Sequence, residues 1–353
     1  MRRLLHLSVA LCLAACGQQV SNVGPSATAH TNPSATASSI PSVPSVMAEQ
    51  EAVLGPGGMT LRQEIGAVMM VGFKGPLTPA ILADWRQHQF GGLIVVPINQ
   101  NAKDPAAIRQ LIQSVRGVMA HPVLTATDQE GGTVCFQEAR VPCTAGARQV
   151  GLQGPPAVQS AMTSMAQGLK ALGFDINFAP VADVWDGVHP FMSERSYGQN
   201  PQAVAQDVTA AIAGIHAAGL YAAAKHLESA ETLRTRDWIP FQAAIAAHVE
   251  FVMIGHPDVP STVIKMLRTE LGYPGVIISD DLQTGLGPEF PPQSAAVRFL
   301  ANGGDMVIVS HDIAIADATY DAIHAAVISG TYPRVQLDAS VQKLLSLGLR
   351  YMP

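Results

Sequence analysis

The chain has 353 residues, and 27 acidic against 21 basic side chains leave it with a net charge of −6. That mildly acidic balance, with its basic residues scattered, excludes the electrostatic footprint of a nucleic-acid-binding protein. No stretch is apolar for long enough to span a bilayer as a helix.

Arg2 and Arg3 precede an apolar run from Leu4 to Ala15, the pattern of a secretory signal. The run ends Leu13-Ala14-Ala15-Cys16-Gly17, which resembles the bacterial lipoprotein cleavage box. The resemblance implies that Cys16 is acylated and becomes the mature N-terminus of an exported protein held to a membrane. The alternative is an ordinary signal peptide that contains Cys16. Residues 17–58 are rich in Ser, Thr, Pro, Ala and Gly and contain no aromatic residue. Such a segment buries too little apolar surface to offset the entropy of ordering it, and reads as a disordered tether. The expected organisation is a signal with its lipobox over 1–16, a tether over 17–58 and one folded domain over 59–353.

That domain alternates short β-branched runs with longer stretches of helical period. The predicted strands are Val68–Phe73, Gly92–Val96, Val123–Asp128, Phe174–Val184, Leu220–His226, Phe251–His256, Gly275–Leu282 and Asp305–Ser310. Amphipathic stretches lie between them, including Pro105–Ala120, Ala157–Leu172, Pro201–Ala218, Arg236–Val249 and Gln293–Ala301. Near-continuous apolar strands imply a sheet covered on both faces, and eight consecutive βα units favour an α/β fold of a single (β/α)8 TIM-type barrel. Cys135 and Cys143 fall just after the third strand, in a compartment that permits a disulfide. With no further Cys or close His pair beside them, a zinc site is not expected.

Several predicted strands end on a polar or ionisable residue: Asp128, Asp183, Lys225 with His226, His256, Asp280 with Asp281, and Ser310 with His311. In a barrel these ends share one rim, where barrel enzymes do their chemistry. Three strings sharpen the picture: Thr127-Asp128-Gln129-Glu130-Gly131-Gly132, Ala224-Lys225-His226, and Ile278-Ser279-Asp280-Asp281-Leu282 after Leu271-Gly272-Tyr273-Pro274-Gly275. Between them stand Phe178-Ala179-Pro180-Val181-Ala182-Asp183 and Arg195-Ser196-Tyr197. In this order the strings resemble glycoside hydrolase family 3, in its single-domain β-N-acetylhexosaminidases, from about Leu61 to about Leu349.

The resemblance implies a retaining glycosidase, which needs a carboxylate nucleophile below the anomeric carbon and an acid above the leaving oxygen. Asp280 matches the family nucleophile. Asp281 is expected to cap the following helix. Lys225 and His226 match a pair that clamps sugar hydroxyls, and Asp128 and Arg195 match groups that reach the same sugar. Asp183 is expected to touch sugar or to support Lys225 or Arg195, and His256 to face the rim or to be a satisfied structural histidine. The implied substrate is a carbohydrate ending in β-linked N-acetylglucosamine, such as a peptidoglycan fragment. No metal-ligand cluster or phosphate-cradling loop is present in the sequence, so no cofactor is expected.

The sequence departs from the family after Lys225-His226. Members of the group continue into a P-G-H-G loop and a D-S-H string, which carry an Asp–His dyad whose histidine is the usual acid/base. Here Leu227-Glu228-Ser229-Ala230-Glu231 runs on directly toward Arg236-Asp237-Trp238. Thr133 also stands where the family often has a basic residue. Two readings follow: Glu228 or Glu231 takes the acid/base role, or both are solvated residues of a shortened loop. In the second case the protein is a slow enzyme or binds glycan without turning it over.

Overall fold

A computed structural model of the protein describes residues 51–136, 139–229, 231, 233–255, 261–284 and 290–348. Eight parallel strands form a closed barrel: β1 (Met69–Val71), β2 (Gly92–Ile94), β3 (Leu124–Thr127), β4 (Ile176–Asn177), β5 (Tyr221–Leu227), β6 (Phe251–Ile254), β7 (Val276–Asp281) and β8 (Met306–Val309). Each strand pairs with the next, and β8 returns to β1 in the register Met69↔Val307, Met70↔Ile308 and Val71↔Val309. The strands are buried on both sides because helices ring them. Leading in and round the outside are α1 (Leu61–Ala67), α2 (Pro79–His88), α3 (Pro105–Arg116), α4 (Ala147–Gly151), α5 (Pro155–Leu172) and α6 (Pro201–Ala217). They continue with α7 (Trp238–Ala246), α8 (Ser261–Thr269), α9 (Pro292–Ala301), α10 (Ile313–Ser329) and α11 (Arg334–Ser346).

Local sequence explains where the helices begin. Asp104 and Asn200 each accept two backbone N–H bonds at the start of α3 and α6, and each is followed by a proline that has no N–H to leave unpaired. Thr60 and Gln63 form a reciprocal capping box at α1. Among the described residues no helix is long and apolar enough to cross a membrane.

Several predicted boundaries shift. The predicted strand Phe174–Val184 keeps ladder pairing only over Ile176–Asn177. Pro180 has no N–H to give a ladder, and the Ala179 N–H turns back to the Asn177 carbonyl at 2.8 Å. The segment continues along the rim, where Val181 bridges Lys225 and the Ala182 N–H donates to the Lys225 carbonyl at 2.6 Å. This detour lifts Asp183 to the barrel mouth. The predicted helix Arg236–Val249 narrows to α7, because Leu233–Asp237 form a wider turn ahead of it. The segment read as a tether meets the barrel before Met59: Glu51 reaches Arg62 at 3.4 Å and His324 at 3.3 Å. Cys16, the signal and residues 17–50 lie outside the described residues, as does His256.

Candidate active site

The site begins at the end of β3, where the backbone turns under tight constraint. Asn177 on β4 holds Gln129 from both sides, accepting from its N–H and donating to its carbonyl at 3.0 Å each. Gly131 and Gly132 take φ values of 97° and 59°, and a Cβ on Gly132 would lie 2.8 Å from the Gly146 Cα. The turn drives Glu130 inward, where it is 3% exposed.

Glu130 is the hub of the site, and the pattern of strand ends did not mark it. Its carboxylate takes a two-pronged grip from Arg195, with Nε on Oε2 and Nη2 on Oε1 at 2.7 Å each. Lys225, from β5, places its Nζ 2.6 Å from Glu130 Oε1 and 2.5 Å from Asp128 Oδ1. Burial pushes the Glu130 carboxyl up, but Lys225 and then Arg195 pull it down further, to about 2. Burial likewise works against the Lys225 ammonium, and Asp128 and Glu130 more than offset it, holding lysine above its ordinary range. Two acids and two cations thus form one charged cluster below the rim.

His226 joins that cluster to the β4 detour. Its backbone N–H donates to both oxygens of Asp183, at 2.8 and 2.9 Å, and its Nδ1 lies 2.9 Å from Asp183 Oδ2. Its Nε2 is 3.1 Å from Arg195 Nη2. Asp183 therefore supports His226, not Lys225 or Arg195 directly. Ser196, next to Arg195, locks the loop from the other side by donating to the Asp183 carbonyl at 2.7 Å.

Asp280 stands one residue before the end of β7, half-buried, its Oδ1 accepting the Asp281 N–H at 2.7 Å. Burial raises its carboxyl above the ordinary aspartate range, opposed first by the nearby His226 and also by Lys225. Among the described residues Asp281 caps no helix: its Oδ1 accepts the Gln283 N–H at 3.3 Å in a turn, and the next described helix, α9, begins at Pro292. The same Oδ1 accepts the Ser310 N–H at 3.0 Å and Asp281 Oδ2 lies 3.1 Å from His311 Nε2, so Asp281 ties β7 to the end of β8. His311 continues to Asn99 after β2, at 2.7 Å.

Asp280, His226, Arg195 and Asp183 line a cavity of about 540 Å³ at the C-terminal rim. Glu228 stands exposed on the same wall, its side chain against Gly255. Lys225 and Asp128 lie beneath the cavity wall, in the charged cluster. The opposite wall comes from the loop after the β4 detour: Trp185, Asp186, His189, Phe191 and Met192. Phe191 is 68% exposed and stacks beneath the Arg195 guanidinium, 4.5 Å from ring centre to Cζ. An exposed aromatic ring beside fixed polar groups suits the mixed apolar and polar faces of a sugar. Among the described residues no group of three or more His, Cys, Asp or Glu is arranged to hold a metal ion.

Residues 60–347 match the glycosyl hydrolase family 3 N terminal domain. The chain belongs to this family. Among family 3 relatives, the Beta-hexosaminidase of Xanthomonas axonopodis pv. citri (strain 306) is 29% identical over 291 residues, covering 71% of this chain and 86% of the relative. That of Stenotrophomonas maltophilia (strain R551-3) is 28% identical over 295 residues, covering 72% and 86%. A solved family 3 β-N-acetylglucosaminidase from Paenibacillus sp. str. FPU-7 superposes with a TM-score of 0.75 at 30% identity. The match covers 83% of this chain and spans 63% of that enzyme's length.

In this family 3 barrel, the βα loop after β3 carries one further brace. Cys135 and Cys143 are joined by a disulfide, with their Cα atoms 6.0 Å apart. It closes the loop that begins at Glu130, and the same loop donates the Gly132 N–H to the Thr144 carbonyl at 2.8 Å. Thr133 lies in this turn. Glu231 is exposed and, unlike Glu228, does not line the cavity.

Proposed function

We propose that the protein is a retaining exo-glycosidase that removes terminal β-linked N-acetylglucosamine, from glycans such as peptidoglycan fragments, while anchored to a membrane through Cys16. One observation carries the catalytic part: Asp280 stands near the end of a barrel strand, inside a cavity whose wall presents His226 and Arg195, both held by buried carboxylates. The names of the Xanthomonas and Stenotrophomonas relatives and of the Paenibacillus enzyme support the choice of amino sugar.

The chemistry follows from the geometry. A sugar seated in the cavity meets donors whose orientation is already fixed by Glu130 and Asp183, so little order is lost on binding. Arg195 and His226 reach it from the wall, with Lys225 and Asp128 behind them in the charged cluster. Asp280 attacks the anomeric carbon as a carboxylate, the bond to the leaving oxygen breaks, and water later displaces Asp280 with net retention. The neighbouring His226 and Lys225 favour the ionised Asp280 that attack requires.

The test uses dinitrophenyl N-acetylglucosaminide beside the matching glucoside. The expected result is a burst of dinitrophenolate followed by slow turnover, faster for the amino sugar, with mass spectrometry placing the sugar on Asp280. Asp280→Ala removes the burst. The shortened segment after His226 favours one other reading, glycan binding without turnover. Wild-type protein that binds N-acetylglucosamine but gives no burst and no rate above Asp280→Ala would establish it.

A further inference from the structure

A retaining hydrolase needs a group at the mouth of the cavity that gives a proton to the leaving oxygen and later takes one from water. The cavity-lining ionisable side chains divide clearly. Asp183 and His226 hold each other, and Arg195 is engaged by Glu130 and His226. Glu228 and His189 remain, with Asp186 and Arg236 beside His189.

His189 is held as a proton-transfer group would be. Its Nδ1 lies 2.5 Å from Asp186 Oδ2. Asp186 Oδ1 accepts the N–H groups of Val188 and His189 at 2.8 and 3.1 Å, closing a tight turn through Gly187 at φ 86°. These backbone bonds, Val188 first, hold the Asp186 carboxyl well below the usual aspartate range. Arg236, from the turn after β5, lies 3.8 Å from Asp186 Oδ2. The Trp185 indole N–H closes the turn on itself by donating to the His189 carbonyl at 3.0 Å, and the Trp185 backbone N–H donates to the Gly198 carbonyl, further along the same loop, at 2.9 Å. Arg148 stacks on the Trp185 ring at 4.7 Å. With Nδ1 committed to Asp186, Nε2 is the nitrogen free to exchange a proton.

Position agrees with that role. Asp280 is half-buried at the strand end, whereas the His189 side chain is 74% exposed at the mouth of the same cavity. The leaving group of an exo-acting enzyme departs toward solvent, so its proton must come from the mouth.

Resting on the reading of Asp280 as nucleophile, we propose that His189 is the general acid and base, with Asp186 as its positioning residue. In the first step Asp280 bonds to the anomeric carbon, the bond to the leaving oxygen breaks, and the proton on His189 Nε2 passes to that oxygen. In the second, Nε2 takes a proton from water as the water oxygen bonds to the carbon and the bond to Asp280 breaks. The dyad sits on the loop after β4, so the shortened segment after β5 leaves the site complete.

The test compares His189→Ala, Asp186→Asn and Glu228→Gln with wild type on dinitrophenyl N-acetylglucosaminide and on a β-linked N-acetylglucosamine disaccharide. N-acetylglucosamine binding by calorimetry confirms that each variant retains its pocket. The expected His189→Ala result is a loss of roughly 10²–10⁴-fold on the disaccharide. The dinitrophenolate burst should change little, because that leaving group needs no proton. Slow turnover of the intermediate should be restored by azide, which attacks without a base. Asp186→Asn keeps the acceptor for the turn and should fall between wild type and His189→Ala. Equal activity of His189→Ala and wild type overturns the proposal, as does a uniform loss on both substrates without azide rescue. A leaving-group-dependent loss in Glu228→Gln alone assigns the role to Glu228 instead. Wild type that behaves like Asp280→Ala overturns the hydrolase reading itself, and the proposal with it.

Discussion

Glu130 grips Arg195 with two parallel hydrogen bonds of 2.7 Å, using the carboxylate that also sits 2.6 Å from Lys225. One buried anion therefore orients both cations of the sugar-facing cluster. Replacing Glu130 by Gln keeps the shape and removes the charge that offsets two desolvated cations. Breaking a buried pair from one side typically costs about 3–5 kcal/mol. Glu130→Gln should lower the urea midpoint accordingly and weaken N-acetylglucosamine binding in the same preparation. Unchanged stability with unchanged binding would show that the cluster tolerates a neutral centre.

Three buried carboxyls should make the fold less stable as pH rises. Burial raises Asp237 and Glu64 to about 7 and Asp207 to about 6. A raised carboxyl favours the folded state while both states are protonated, and that contribution fades as pH climbs from about 4 through 7. A tenfold difference in proton affinity between the folded and unfolded chain corresponds to about 1.4 kcal/mol. Asp237→Asn can still accept the Val184 N–H, now 3.0 Å from Asp237 Oδ1, and has no charge to bury. Urea midpoints of this variant should fall less between about pH 5 and pH 8 than those of wild type. Parallel losses in the two proteins would rule out Asp237 as a source.

The Cys135–Cys143 bond closes a short loop, for which chain entropy predicts stabilisation of about 2–3 kcal/mol. Cys135→Ser should lower Tm, and reductant should lower the Tm of wild type toward that of the variant while leaving the variant unmoved. The change should also loosen the turn that presents Glu130, read as weaker N-acetylglucosamine binding. A reductant-insensitive wild type would refute the stapling role.

Membrane attachment through Cys16 is tested by fractionating cells that express wild type and Cys16→Ala. Wild type should sediment with membranes and release on detergent, and the variant should not. Equal solubility of the two in the exported fraction would exclude the anchor.

The barrel was legible because its strands are short, apolar and regularly spaced, and because their polar terminal residues point to a common rim. Asp280, Lys225 and His226 stand at strand ends, where the fold dictates direction. Glu130 stands two residues beyond Asp128, past the last ladder residue of β3, where alternation no longer says which way a side chain points. A carboxylate directly ahead of two glycines was the available signal. Asp186 and His189 were harder still. Asp186-Gly187 reads as a turn, but nothing in a loop's composition places a histidine over a cavity made by β5 and β7. The partner of Asp281 was hidden for a similar reason: capping is a local rule, whereas His311 is brought to it by closure of the barrel.

That closure has a kinetic side. Met69 pairs with Val307, 238 positions later (307 − 69), so the first strand waits for the last before its second edge is covered. Loop-closure entropy grows only slowly with length, but it must be met before the pairing returns anything. Until then a partly assembled barrel presents open parallel edges, which are templates for pairing with other chains. Substitutions in Met69–Val71 should therefore show themselves first in refolding yield and aggregation, ahead of any effect on the chemistry at the C-terminal rim.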